Sequence, residues 1–338
     1  MAKFYFNKDA DLKYLKNRKI AVIGYGSQGH AQSQNLKDSG MNVVVADVPN
    51  SDNWKKALKA KMKIMRTSEA SMWADVIMLV VPDTIQSIVY ENEIKRYICP
   101  EKVLMFSHGF NIRYGLIRPP EYIDVILVAP KGPGHLLRSE YQQGRGVPNL
   151  IAVHQDFSGN AKNIALAYSK AIGGTRAVVI ETTFEEETET DLFGEQNVLC
   201  GGISQLIISG FETLVKAGYQ PEVAYFECLH EMKLITDMIY EGGLSWMRYS
   251  VSDTAEWGDY YQGKNVIGKE ARKAMRESLK RIQNGSFAKE WVSEYRSGGK
   301  RFYKYRKQAQ NHLIERIGKR LRNYMTWIKK RQTETGGR

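Results

Sequence analysis

A doubly wound parallel α/β sheet in residues 1–181 is the fold this sequence predicts. Two patterns predict it: a Gly-x-Gly-x-x-Gly turn set directly after a β-branched run, and short apolar runs that alternate with helix-like stretches as far as Glu181. A third observation bounds the remainder. With 338 residues, 43% hydrophobic and 25% charged, the chain has a globular composition and length enough for a second domain.

Arg18–Gly24 (RKIAVIG) reads as a strand that breaks into Gly24-Tyr25-Gly26-Ser27-Gln28-Gly29. Gly24 permits the tight turn, Gly26 lets a pyrophosphate approach the backbone, and Gly29 lets the next helix pack closely. The free N–H groups and positive dipole end of that helix then face phosphate. A helix over His30–Ser39 stops at Gly40, and Asn42–Ala46 (NVVVA) is the second strand of a βαβ unit. Strands follow at Val76–Val81, Val103–Phe106, Val125–Ala129, Leu150–His154 and Ala177–Glu181, with helices over Ile85–Ile98 and Asn160–Ile172. Ligands of such sheets bind beyond the carboxyl ends of strands. The segments there are Asp83-Thr84-Ile85, Ser107-His108-Gly109 and Lys131-Gly132-Pro133-Gly134, so His108 and Lys131 are expected to face the cofactor crevice.

The second half carries acids where a basic chain would not place them. Glu181–Glu195 (ETTFEEETETDLFGE) holds seven acids and no Lys or Arg. Asp191 and Glu195 are spaced i, i+4, and Glu227 and Glu231 repeat that spacing, so each pair projects from one helix face. Like charges so placed oppose helix formation unless a cation neutralises them. Apolar neighbours such as Leu229, Leu234 and Ile235 make an unpaired charge expensive, and four hard oxygen ligands suit Mg²⁺. His230 falls on another face and stays unassigned. Downstream, the hydroxyl-rich stretch around Ser252 offers a place for a small polar substrate.

Charge and cysteine usage exclude other classes. Of the net +12, most lies beyond Gly298, where thirteen Lys and Arg face two Glu. Leu313, Ile317, Leu321 and Met325 give that region the spacing of one amphipathic helix with a basic outer face, and no nucleic-acid motif accompanies it. No apolar run is long enough to be read as a membrane span, and the amino-terminal segment lacks the pattern of a secretory signal. Cys99, Cys200 and Cys228 have no metal-type spacing. These features predict a cytoplasmic protein that binds neither nucleic acid nor membrane.

The segments GYGSQGHAQSQNL, SHGFNI, APKGPGH, ETDLFGEQNVLCGG and AYFECLHEMKLITDMIYEGGLSWMRYSVSDTAEWG together resemble ketol-acid reductoisomerase in its short, class I form, over Phe4 to about Trp327. The resemblance implies a Rossmann domain over 1–181, an all-helical knotted domain over 182–328, a basic tail over 329–338, and a homodimer or larger assembly whose active sites combine two subunits. It implies two Mg²⁺ ions, with Asp191 bridging both, Glu195 on the first, and Glu227 and Glu231 of the partner subunit on the second. His108, Lys131 and Glu195 match catalytic positions, and Ser252 the substrate-carboxylate position. Tyr25–Gln28, Asp83, Thr84, Ile85, Gln86 and Gly134 match cofactor contacts. The implied substrates are the 2-hydroxy-2-methyl-3-oxo acids 2-acetolactate and 2-aceto-2-hydroxybutyrate. Alkyl migration followed by reduction with a nicotinamide hydride gives the 2,3-dihydroxy-3-methyl acid, in valine, isoleucine and leucine synthesis.

One departure bears on the cofactor. Val48 stands where relatives using NADPH usually carry Arg, and Asp47 follows Gly29 by 18 residues at the end of the second strand. An acid there accepts hydrogen bonds from ribose hydroxyls and repels a 2′-phosphate, and Asp52 adds a second negative charge. NADH is therefore the expected reductant over NADPH, with Ser51, Lys55 and Lys56 as the residues that could still hold a phosphate. Two other readings are a metal-independent 2- or 3-hydroxyacid dehydrogenase with Lys131 or His108 as the acid, which leaves the carboxylate pairs unexplained, and an NAD-binding sensor without turnover.

Overall fold

A computed structural model describes residues 2–328. The chain separates into two compact units, Met1–Asp191 and Leu192–Arg338. The basic tail expected over 329–338 lies outside the described residues.

The first unit is built on nine strands: β1 (Phe4–Tyr5), β2 (Lys19–Ile23), β3 (Asn42–Ala46), β4 (Ile64–Met65), β5 (Val76–Leu79), β6 (Val103–Phe106), β7 (Asp124–Pro130), β8 (Asn149–Gln155) and β9 (Val179–Glu181). They form one sheet in the order β1-β9-β8-β7-β6-β5-β2-β3-β4. Central strands such as β5 and β6 are buried along their whole length, because helices cover both faces. Alternate side chains divide the core. Val22, Met78, Met105 and Ile126 pack on one side with the helix Ala161–Ala171, and Ile23, Ile77, Phe106 and Leu127 on the other with Ala70, Tyr90 and Phe184.

The α/β class is as the sequence predicts, and two pairings in the sheet run antiparallel, β7 with β8 and β1 with β9. The first has a clear origin. After β7 the helix Gly134–Gln142 packs against the helix Ser27–Asp38 at the carboxyl edge of the parallel strands, where Asn35 Nδ2 donates to the Leu137 carbonyl at 3.4 Å. The chain thus enters β8 without first crossing the sheet. The two-residue strands β1 and β4 are too short to give a period-2 signal and were not expected.

The second unit is helical: Gly201–Lys216, Pro221–Tyr225, Met232–Ser250, Asp253–Val266, Lys269–Gln283, Ser286–Arg296, Lys300–Gln310 and Leu313–Arg322. The single amphipathic helix expected near the carboxyl end is two helices. His312 breaks it, its Nδ1 accepting from the Ile314 N–H at 3.2 Å as an N-cap. Leu313, Ile317 and Leu321 still share the inward face, against Phe211 and Tyr225. The expectation that no stretch reaches membrane length needs correcting. The helical run Phe184–Lys216 is long and apolar enough to cross a membrane by length and composition, since glycines and hydroxyls between Glu195 and Glu212 interrupt it less than charges would.

Candidate active site

The glycine turn after β2 is shaped by close approach. Gly24 has φ +105°, and a Cβ on Gly29 would lie 1.9 Å from the Gly24 carbonyl oxygen. The helix begins at Ser27, three residues earlier than expected, so Ser27, Gln28 and Gly29 form its first turn and present unpaired N–H groups. Gln28 Nε2 donates to the Gly132 carbonyl at 2.9 Å, and the Gly134 N–H donates to Ser27 Oγ at 3.2 Å. These bonds join the cofactor turn to the loop that carries Lys131.

Asp47, just past β3, is anchored on both oxygens. Oδ2 accepts from the Tyr25 N–H at 2.8 Å, and Oδ1 from the Val48 N–H at 2.8 Å and from Ser51 Oγ at 3.3 Å. Ser51 Oγ in turn caps the helix Asp52–Lys59, accepting from the Trp54 N–H at 3.1 Å. Lys55 pairs with the exposed Asp52 at 3.7 Å. The Tyr25 ring is buried beside Val45, Ala57 and Met62, so the backbone of Tyr25 is the part that bears on Asp47. Beyond β5, Gln86 Nε2 donates to the Val81 carbonyl and to Asp83 Oδ1, while Asn111 Nδ2 donates to Gln86 Oε1 and to the Asp83 carbonyl. Thr84 is buried and Ile85 half-buried in the same turn.

His108 and Lys131 meet on one carboxylate that sequence reading overlooked. Glu187, with a side chain only 1% exposed, takes Lys131 Nζ at 2.9 Å, His108 Nδ1 at 3.2 Å and the Gly109 N–H at 2.9 Å. Asp191, one turn on, takes Lys131 Nζ at 2.8 Å and lies 3.5 Å from His108 Nδ1. The helix Phe184–Gly194 that carries both acids is held by Arg113, which donates to Glu189 Oε1 at 3.0 and 2.6 Å. Gly109 makes this packing possible, because a Cβ there would lie 2.3 Å from Thr188 Oγ1. The signal for Glu187 was present in the sequence: 187, 191 and 195 are all acidic at four-residue spacing.

The charges sustain one another. Burial opposes the His108 imidazolium, but the hydrogen bond it donates to Glu187 and the charges of Glu187, Asp83 and Asp191 outweigh it and raise its pKa. Burial likewise opposes the Glu187 carboxylate, and His108 and Lys131 hold its pKa well below the usual range. Lys131 is driven up against its own desolvation by the same two acids, and burial pushes the Asp83 carboxyl up.

His108, Glu187 and Asp191 bring possible ligand atoms within 4.8 Å of one another, the one such group among the described residues. Lys131 Nζ lies between the two carboxylates and neutralises them, and hard carboxylate oxygens are the donor type that Mg²⁺ takes. In the second unit Glu195, Glu227 and Glu231 are exposed. Ser252 is exposed too, its hydroxyl accepting from the Ala255 N–H at 3.2 Å as the cap of Asp253–Val266.

Comparison with known proteins identifies the family. Residues 14–178 match the NADPH-binding domain of acetohydroxy acid isomeroreductase, and residues 184–327 match the ketol-acid reductoisomerase C-terminal domain. An NADH-preferring ketol-acid reductoisomerase from an uncultured archean is 45% identical, with a TM-score of 0.93 over 97% of this chain and 100% of that one. Two more distant structures share the fold alone. A semialdehyde dehydrogenase NAD-binding protein from Cupriavidus necator is 20% identical (TM-score 0.59, 79% of this chain, 99% of that one). A pyrroline-5-carboxylate reductase from Coxiella burnetii is 14% identical (TM-score 0.56, 80% and 98%). A glycine turn for a dinucleotide, an acid-held lysine and histidine beyond the strands, and matches across both halves lead to one conclusion: the chain belongs to the ketol-acid reductoisomerase family of oxidoreductases.

Proposed function

We propose that this reductoisomerase takes 2-acetolactate and 2-aceto-2-hydroxybutyrate, isomerises them with Mg²⁺ and reduces the product with NADH in preference to NADPH, in the cytoplasm. The observation that carries the reading is the convergence of His108 and Lys131 on buried Glu187 and on Asp191, beyond the carboxyl ends of β6 and β7. The division at Glu181/Thr182 gives the cofactor to 1–181 and the metal and substrate to 182–328, with Asp191 and Glu195 as ligands from one subunit and Glu227 and Glu231 from its partner. Bound Mg²⁺ supplies Lewis-acid polarisation of the substrate hydroxyl and carbonyl.

The chain's own residues do the rest. Glu187 fixes the Lys131 ammonium and the His108 imidazolium, and both supply positive charge where an alkoxide develops during a 1,2-shift. Glu195 relays a proton, and Ser252 holds the substrate carboxylate at the amino end of its helix, where the dipole favours an anion. Asp47 accepts from the ribose hydroxyls of NADH. Its anchoring by Tyr25, Val48 and Ser51 supports that role, as does similarity to an NADH-preferring relative.

A dimer accounts for the apolar surface of the second unit. Leu199 (69% exposed), Trp246 (46%), Trp257 (70%) and Tyr261 (67%) lie on helices that a second copy would cover. Oxidation of NADH and, separately, NADPH at 340 nm with 2-acetolactate tests the proposal, each run with Mg²⁺ and with excess EDTA. The expected result is Mg²⁺-dependent turnover faster with NADH. Turnover that survives EDTA refutes the metal assignment, and faster turnover with NADPH refutes that of Asp47 and Asp52.

A further inference from the structure

The second-unit carboxylates assigned to magnesium sit on π-turns. Glu195 opens the turn Glu195–Leu199, which closes where the Cys200 N–H donates to the Glu195 carbonyl at 3.0 Å. Glu227 lies in the turn Phe226–His230, and the Glu231 N–H closes it on the Phe226 carbonyl at 3.1 Å. A π-turn holds one residue more than an α-turn, so it rotates the helix on its amino side against the helix on its carboxyl side by about 100° at 3.6 residues per turn. Single turns of this kind concentrate at functional sites.

The first turn makes a demand the second does not. Cys200 is stretched to φ −117°, ψ −63°, and two glycines come directly after it. A Cβ on Gly201 would lie 2.1 Å from the Gln196 carbonyl oxygen, and one on Gly202 would lie 2.1 Å from the Asn197 carbonyl oxygen. Each is the carbonyl five residues back, so the crowding belongs to the turn itself. After the second turn the same two positions hold Met232 and Lys233, so glycine is not required by π-turns in general. The first turn is also clasped from outside. Asn197 Nδ2 donates to Ser278 Oγ at 3.0 Å, and Ser278 Oγ donates to Gln196 Oε1 at 3.4 Å, which ties the turn to the helix Lys269–Gln283.

We infer that Gly201 and Gly202 are positioning residues for metal binding: by admitting the wide turn they set the direction in which Glu195 leaves its helix. The inference rests on the reading of Glu195 as a magnesium ligand. A methyl group at either position forces the turn toward α geometry and swings Glu195 away from the direction it now takes.

The test uses full-length Gly201→Ala, Gly202→Ala and Glu195→Gln. Mn²⁺ binding is followed by electron paramagnetic resonance, NADH binding by fluorescence and helicity by circular dichroism. The glycine variants are expected to lose at least about tenfold in Mn²⁺ affinity, as supporting residues around metal ligands do, with NADH affinity and helicity unchanged. Wild-type Mn²⁺ affinity in both glycine variants overturns the inference. Should they fail to fold, hydrogen exchange in the wild-type protein decides. Coupling between ligand and turn is reciprocal, so Mg²⁺ must slow exchange of the Cys200 amide, and an unchanged rate overturns the inference. Glu195→Gln keeps the two claims apart. Undiminished Mn²⁺ affinity in that variant removes the ligand reading itself, whereas loss there and not in the glycine variants removes only the role of Gly201 and Gly202.

Discussion

Glu187 carries more of the site than any residue the sequence pointed to. Its carboxylate is enclosed by Lys131, His108 and the Gly109 N–H, so Glu187→Gln leaves the Lys131 ammonium and the His108 imidazolium with Asp191 as their remaining counter-charge. Breaking a buried pair from one side costs roughly 3–5 kcal/mol, and the partly exposed lysine keeps this case toward the lower end. Urea denaturation of the metal-free protein is expected to show a loss of about 3 kcal/mol, and a change below about 1 kcal/mol would mean that Lys131 and His108 find other partners. Ser51 makes a finer prediction. Its hydroxyl is committed to Asp47 and the Trp54 N–H, which fits a support for the acid proposed to bind ribose better than a phosphate ligand. Ser51→Ala should raise KM for NADH about threefold and leave KM for NADPH unimproved, the size expected for one lost hydrogen bond. A selective rise in KM for NADPH would reverse that assignment.

At the level of elements, much was legible where one repeating pattern spans a whole segment. The run RKIAVI followed by the three glycines of Gly24–Gly29, and the buried strands β5, β6 and β7, could be placed because β-branched runs end at turn residues. What stayed hidden has a common cause. A π-turn is a single inserted residue, and a helical period summed over many residues does not register it. The break at His312 is likewise one N-cap inside a continuous apolar stripe. Glu187 was lost in an acidic run whose neighbours Glu185 and Glu186 are exposed, and only the fold separates the inward acid from the outward ones.

The edge strand β1 gives a prediction at this scale. Tyr5 pairs with Val179 in register, and its hydroxyl donates to Glu181, which raises the Tyr5 pKa to about 12 and lowers that of Glu181. A raised tyrosine pKa gives stability that is complete below the ordinary value near 10 and vanishes as pH rises through about 12. A lowered carboxylate pKa gives stability present above the ordinary value and lost as pH falls through the depressed one. Wild type should therefore exceed Tyr5→Phe by about 1 kcal/mol between roughly pH 6 and 9, a modest figure because the pair is partly solvated, with the gap closing on both sides. A gap independent of pH would show that the bond does not track these ionisations.

For the whole molecule, the proposed sharing of ligands between subunits can be tested by complementation. Asp191→Asn and Glu227→Gln should each be inactive alone. A co-refolded equal mixture should regain about a quarter of wild-type activity, since half the dimers are mixed and one of the two sites in each is intact. No recovery, with mixed dimers shown to form, would place both carboxylates of a site on one chain. The sequence alone reached the pairs Asp191/Glu195 and Glu227/Glu231 by spacing, and it could not assign them to one chain or two, because i, i+4 spacing fixes a helix face and not what that face meets.

The apolar side chains that the second unit leaves uncovered have a thermodynamic consequence. Between Leu192 and Met325 few large apolar side chains are fully enclosed, Phe211 and Tyr225 among them, while Tyr240, Tyr249 and Trp257 are mostly open. If, as proposed, the helical unit completes its core with a second copy, it has no melting temperature of its own to quote, only one at a stated protein concentration. By mass action each tenfold dilution lowers the folding free energy per dimer by about 1.4 kcal/mol. The helical unit should then melt earlier as the protein is thinned, while the sheet, with its core closed within one chain, keeps its transition.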